Sequence, residues 1–194
     1  MPHPNTLSRV PDSPIISAIN AAWAVSHPSN PNLVVFATDD DGMLLWLSDR
    51  SETAASFVKG YLLDHPASGN NINDQPITVS SSGLRHVYAG SGAAAFIGVP
   101  NGDPRHPDII GIAQHGVVYT GGTSKIAEHG GDDPQDRNVP ILVVLPGQTG
   151  GSTNSTPVET TQIAPTILTL LGLDPNQLQA VQIEHTQVLP GIGG

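Results

Sequence analysis

Apolar residues recur at helical spacing in three stretches of this chain, and short β-branched runs fill the space between them. From Ser13 to about His27, Ile15, Ile16, Ile19 and Trp23 form one stripe, which predicts an amphipathic helix. Ser13 suits its N-cap and Pro14 its first helical position, and Pro28 and Pro31 end it. Leu33–Ala37 and Met43–Leu47 then read as two strands around an acidic turn, with Asp41-Gly42 as a hairpin signal. The three carboxylates Asp39, Asp40 and Asp41 fit either a metal site or turn chemistry. Turn chemistry is favoured, because Asp is common in such turns and Gly42 can supply a positive φ.

A second helix is expected from Ser51 to about His65, where Ala54, Phe57, Val58, Tyr61 and Leu62 recur near helical spacing. "PASGNNINDQP" reads as a loop. Short strands are expected at Arg85–Ala89, Ala93–Val99, Asp108–Ala113 and Gly116–Thr120, and "VPILVVLPG" has the composition of a buried strand. The last long helix follows Thr156-Pro157-Val158-Glu159, which reads as a capping box with proline at the first helical position. Ile163, Ile167, Leu170 and Leu171 form its stripe, Pro165 kinks it or tightens its first turn, and Gly172 caps its end. Pro175 opens a further short turn. There is no internal repeat.

The 194 residues suit one domain, or a domain with a small lobe. With 21 Gly, 18 Pro and only 12% charged residues, the composition is that of a loop-rich globular α/β or α+β chain. A net charge of −10 argues against nucleic acid as a partner, and an anionic substrate would need a local cation. The absence of cysteine excludes disulfides and thiolate metal sites. No apolar run approaches membrane-spanning length, and "MPHPNTLSRVPDSP" is not a signal peptide.

Several motifs fail on context. Gly90-Ser91-Gly92-Ala93-Ala94-Ala95 matches a dinucleotide-binding pattern, but "FIGVPNGDP" follows too soon for the helix that pattern needs. "GGTSK" lacks the spacing of a phosphate loop, and there is neither a G-x-S-x-G nor an H-E-x-x-H. None of the eight histidines has an Asp four residues before it. His65, His106 and His115, each taken alone, read as solvated or structural. His129 differs, because Gly130 and Gly131 beside it admit a close approach. A self-contained site of Asp39–Asp41, His115 and His129 would need distant residues to converge, which nothing in their spacing requires.

"GVVYTGGTSKIAEHGGDDPQDRNVPILVVLPG" and "VETTQIAPTILTLLGLDPNQLQAVQIEHTQVLPG" together resemble the C-terminal part of alkaline-phosphatase-superfamily proteins. The nearest branch is the type I phosphodiesterase/nucleotide pyrophosphatase-like proteins. "VPDSPIISAINAAW" and "ATDDDGMLLWLSDRS" extend the likeness over nearly the whole chain. The resemblance implies an α/β fold: part of a mainly parallel alkaline-phosphatase-like sheet with flanking helices, plus a small α+β lobe containing the hairpin. It implies a lobe over about 13–100 and core strands with the C-terminal helix over about 105–194. It also implies phosphate-ester hydrolysis by a Thr or Ser nucleophile and two divalent metals, commonly zinc. His129 corresponds to the late metal-binding His, on the metal facing the nucleophile. Glu128 is its orienting neighbour, and Asp132, Asp133 and Asp136 lie in turns beyond the site.

The nucleophile and the remaining ligands correspond to segments upstream of this chain in full-length relatives. His3 has the wrong neighbours to replace any of them. The chain alone is therefore expected to be inactive and to hold no metal tightly. The alternative is a non-catalytic remnant or interaction module that pairs with another chain, with self-association through exposed sheet edges. Relatives are often exported, and the compartment of this chain is left open.

Overall fold

The computed structural model of the chain describes residues 7–147 and 149–192, so His3 lies outside the described residues. It is a mixed α/β structure that divides into two compact units, Met1–Val139 and Pro140–Gly194. In the first unit, β1 (Ser8–Val10), β4 (Ala67–Asn71), β5 (Pro76–Val79) and β8 (Val117–Tyr119) form one sheet in the order β5-β4-β1-β8. Only β1 and β8 run parallel; β1–β4 and β4–β5 are antiparallel. A second, antiparallel sheet has the order β2-β3-β7-β6, from β2 (Val34–Asp39), β3 (Gly42–Leu47), β6 (Leu84–Ala89) and β7 (Ile109–Ala113). The strands on either side of residue 105 thus share one unit and, in β3–β7, one ladder.

Strand alternation decides what each helix covers. Met43, Leu45, Leu47, Ile109 and Ala113 join the main core with Ile15, Ile19 and Trp23 of α1 (Asp12–Ala24) and Ala54, Val58 and Leu62 of α2 (Glu52–Asp64). The alternate residues Leu44, Ile110 and Ile112 face the other way and pack with Ala93 of α3 (Ser91–Phe96). Both amphipathic stripes therefore bury where periodicity placed them. The caps differ in detail. Ser51 caps α2, accepting the Ala54 N–H at 3.2 Å, but α1 starts after Pro11, one residue before Ser13, and has no side-chain cap.

Three expected elements change. "PASGNNINDQP" is the β4–β5 hairpin, whose turn is organised by Asn71 Oδ1 accepting N–H groups from Asn73 and Gln75 at 2.9 and 3.0 Å. Ala93–Val99 is not a strand, since α3 occupies most of it. "VPILVVLPG" forms no strand: among the described residues it pairs with no other segment, and Leu142 and Val144 are 87% and 80% exposed. The hairpin turn also works differently, because Gly42 has no positive φ. A Cβ there would stand 3.1 Å from the Gly111 carbonyl of the neighbouring strand, so close strand approach is what favours glycine.

In the second unit, a 3₁₀ turn at Thr160–Gln162 leads into α5 (Ile163–Leu170). The capping box lies at Glu159 and Gln162, three residues later than the sequence suggested, with Gln162 Oε1 accepting the Glu159 N–H at 2.8 Å. Pro165 sits in the first turn of α5, where no intrahelical donor is lost. Gly172 (φ 71°) closes the helix: its N–H reaches Thr169 O at 3.0 Å and that of Leu173 reaches Leu168 O at 2.9 Å, the paired bonds of a Schellman cap. Asp174 caps the turn at Pro175–Gln177, which precedes α6 (Gln179–Glu184). No helix among the described residues is long and apolar enough to cross a membrane.

Candidate functional site

His129 lies on a loop without regular secondary structure that follows β8 and ends at α4 (Pro134–Arg137). Polar ties from the sheets fix the loop. The Thr120 N–H bonds Val10 O at 2.9 Å, and the buried Arg9 guanidinium donates to Thr123 O, Asn71 O and Asp74. Further on, Lys125 Nζ bonds both Asp40 and Glu128. Glu128 in turn accepts the His129 backbone N–H at 3.2 Å. Hydrogen bonds from Lys125 hold the Glu128 carboxyl below its usual range, and those to Asp40 and Glu128 push Lys125 up. Glu128 therefore grips the backbone at His129 rather than the imidazole, and the ring stays exposed.

The loop forms one wall of a cavity of about 410 Å³, lined also by the β7–β8 connection and α4. Asp41, His115, Glu128, His129, Asp133 and Asp136 supply its polar wall, and Ile112 and Val117 part of the apolar one. Asp132, Asp133 and Asp136 thus border the same cavity as His129 instead of lying beyond it. Asp133 is buried, caps α4 through the Gln135 N–H at 3.0 Å and pairs with Arg85. Those contacts, the backbone bond first, hold its carboxyl below the usual range. Asp41 is pushed up by burial and then by the carboxylates of Asp40, Glu128 and Asp136.

Gly130 and Gly131 make this crowding possible. Gly130 has φ 109°, and a Cβ there would stand 2.8 Å from Asp41 Oδ2; one on Gly131 would stand 2.7 Å from Asp136 Oδ2. Two carboxylates therefore press against the glycines that sequence reasoning assigned only to ligand access.

The three acidic residues of the hairpin turn separate. Asp39 faces Asp12, Asp40 bonds Lys125, and Asp41 faces Gly130. They share no common focus: Asp39 is the last residue of β2, and Asp40 and Asp41 form the turn. Asp41 and His115 nonetheless converge with His129 on one cavity, although their separation in sequence gave no sign of it. Of the other histidines, His106 is buried with Nδ1 2.7 Å from Pro107 O and Nε2 3.0 Å from Asn101 O, a structural role.

The dinucleotide-like glycines do open a helix, since Gly90 is the N-cap of α3 at φ 53°. Its mouth is already filled: the Ser91 N–H donates to Glu52 Oε1 at 2.7 Å, so a carboxylate of the chain itself sits where a pyrophosphate would go. Among the described residues, no group of three or more His, Cys, Asp or Glu is arranged to hold a metal ion. No protein-family model, curated protein or solved structure matches this chain.

Proposed function

We propose that this chain contributes the late-histidine corner of a metal-dependent phosphoric ester hydrolase of the alkaline-phosphatase superfamily, of the phosphodiesterase/nucleotide pyrophosphatase-like branch. The observation that carries this reading is the posture of His129. Its ring is free on the wall of an acid-lined cavity, while its backbone is fixed through Glu128, Lys125 and Asp40. A metal ligand needs an imidazole nitrogen left available, and a fixed backbone helps to present it.

The chain's described residues do not make a complete zinc centre, because a catalytic zinc takes about three protein ligands and no such trio is assembled here. His129 would supply one donor, Glu128 its positioning, and the metal would polarise the phosphate ester and activate a Thr or Ser nucleophile carried elsewhere. On this reading the sheets are part of an alkaline-phosphatase-like core. The test is a Zn²⁺ titration of the chain followed by imidazole ¹H–¹⁵N NMR. The His129 ring should respond first and saturate only at high metal concentration. A response confined to other imidazoles would refute the assignment. A stoichiometric nanomolar site, or metal-dependent hydrolysis of a nitrophenyl phosphodiester abolished by His129→Ala, would show instead that the chain holds a whole centre.

A second reading, a non-catalytic module that pairs with another chain, is favoured by one observation. Ile141–Leu145 is apolar, carries no charge and has no strand partner among the described residues. Such a segment recruits another strand. Sedimentation should show association that rises with concentration and is suppressed by Leu142→Lys with Val144→Lys. A chain that stays monomeric throughout would count against it.

A further inference from the structure

Strand alternation puts Val10 in the main core and Arg9 on the opposite face of the β5-β4-β1-β8 sheet. Arg9 is only 3% exposed there, a depth that arginine seldom reaches without partners. A guanidinium has five N–H groups. Among the described residues three acceptors meet them: Thr123 O, Asn71 O, and Asp74 Oδ1 at 2.7 Å. The buried N–H at Nε has no partner, and one on Nη1 is also left over. An unmet donor on a buried cation costs more than one on a neutral group, so an acceptor is wanted here.

Beside Arg9 lies a hollow of about 90 Å³, walled also by Pro11, Asn70 and the run Thr120–Thr123. That is several times the ~10–15 Å³ that one water needs, and it suits a group of a few heavy atoms. Its wall is rich in donors. The backbone N–H groups of Gly121 and Thr123 have no acceptor among the described residues, and Thr120, Thr123 and Asn70 add hydroxyls and an amide. The Gly122 N–H is already spent on Thr120 Oγ1 at 3.1 Å. No Asp or Glu lines the hollow, in a chain that has 17 of them. Asp74 grips the guanidinium from the β4–β5 turn but is not part of the wall.

The glycines belong to "GGTSK", whose spacing fails as a phosphate loop. Its own lysine is committed to Asp40 and Glu128. The cation at this loop comes instead from β1, far away in sequence.

We propose that the hollow binds a phosphate-sized oxyanion, with Arg9 as its cation and the Gly121 and Thr123 N–H groups and the threonine hydroxyls as its neutral donors. Donors that converge from a strand and a loop suit a tetrahedral anion better than a planar carboxylate. The site shares no lining residue with the His129 cavity and does not depend on what that cavity does.

The test is a titration of the full chain with inorganic phosphate, at an ionic strength held constant with chloride and read by ¹H–¹⁵N NMR. The signals of Arg9 Nε and of the Gly121 and Thr123 amides should move together and saturate by about 10 mM, with acetate weaker and chloride without effect. Arg9→Lys keeps the charge but loses Nε and the planar fork, and should weaken phosphate about tenfold or more. Asp74→Asn removes the competing carboxylate at a φ of 57°, which Asn tolerates, and should tighten phosphate about threefold. This second variant carries the test if Arg9→Lys does not fold. No saturating shift at Arg9 Nε, an equal response to chloride, or native affinity in Arg9→Lys would overturn the site. So would an affinity unmoved or weakened by Asp74→Asn, and acetate binding as tightly as phosphate would overturn the tetrahedral ligand.

Discussion

At Gly130 the backbone stands at φ 109° with the Asp41 carboxylate against its Cα. An added methyl meets both a conformational penalty and a clash, and only the Asp41 side chain can give way. Gly130→Ala should therefore destabilise the chain by about 1–3 kcal/mol, read as a lower urea midpoint at unchanged m-value. Asp133 contributes to stability through its ionised form. Its folded carboxyl is held below the usual range, so its contribution is present above the ordinary carboxylate pKa and lost as pH falls. Asp133→Asn should lose stability at pH 6 and much less at pH 3, which thermal unfolding at the two values would show. Sequence reasoning picked out His129 from its glycines but placed Asp133 and Asp136 outside the site. Their role depends on α4 folding back beside the loop, and no local spacing encodes that.

Among the elements, those with strong apolar periodicity were legible. The stripe Ile15, Ile19, Trp23, the pair β2–β3 and the Gly172 cap all follow from side-chain spacing or a φ requirement that residue type announces. The β4–β5 hairpin was not legible, because Ala67–Asn71 and Pro76–Val79 hold few apolar residues and pair through the backbone at a sheet edge. Helix α3 was missed because Ala93, Ala94 and Ala95 are compatible with either state, and the deciding contact is the distant Glu52. Leu45 lies at the centre of the core with no exposed surface, so Leu45→Ala should cost about 2–5 kcal/mol by urea denaturation. Gly172→Ala should cost about 1 kcal/mol and fray the last turn of α5, visible as faster amide exchange at Leu171 and Leu173.

For the whole molecule, the division after Val139 has a practical outcome. Residues 149–157 of the second unit carry no regular structure and are exposed, so limited proteolysis should cut there while the first unit stays intact. Both tryptophans, Trp23 and Trp46, belong to the first unit, and its near-ultraviolet circular dichroism should survive the cut. Loss of that signal on cleavage would show that the first unit depends on the second. Of the mainly parallel sheet that the resemblance implied, the described residues show one parallel pair, β1–β8.

The run Ile141–Leu145 is bounded by Pro140 and Pro146, neither of which can donate a backbone hydrogen bond. A neighbouring chain can therefore read only the five residues between them, fewer than the six or seven that interdigitating fibril sheets require. The two prolines work as stops on fibril growth. Incubated at neutral pH, the native chain should give no thioflavin-positive fibres, whereas replacing both prolines by serine should lengthen the readable segment and start them.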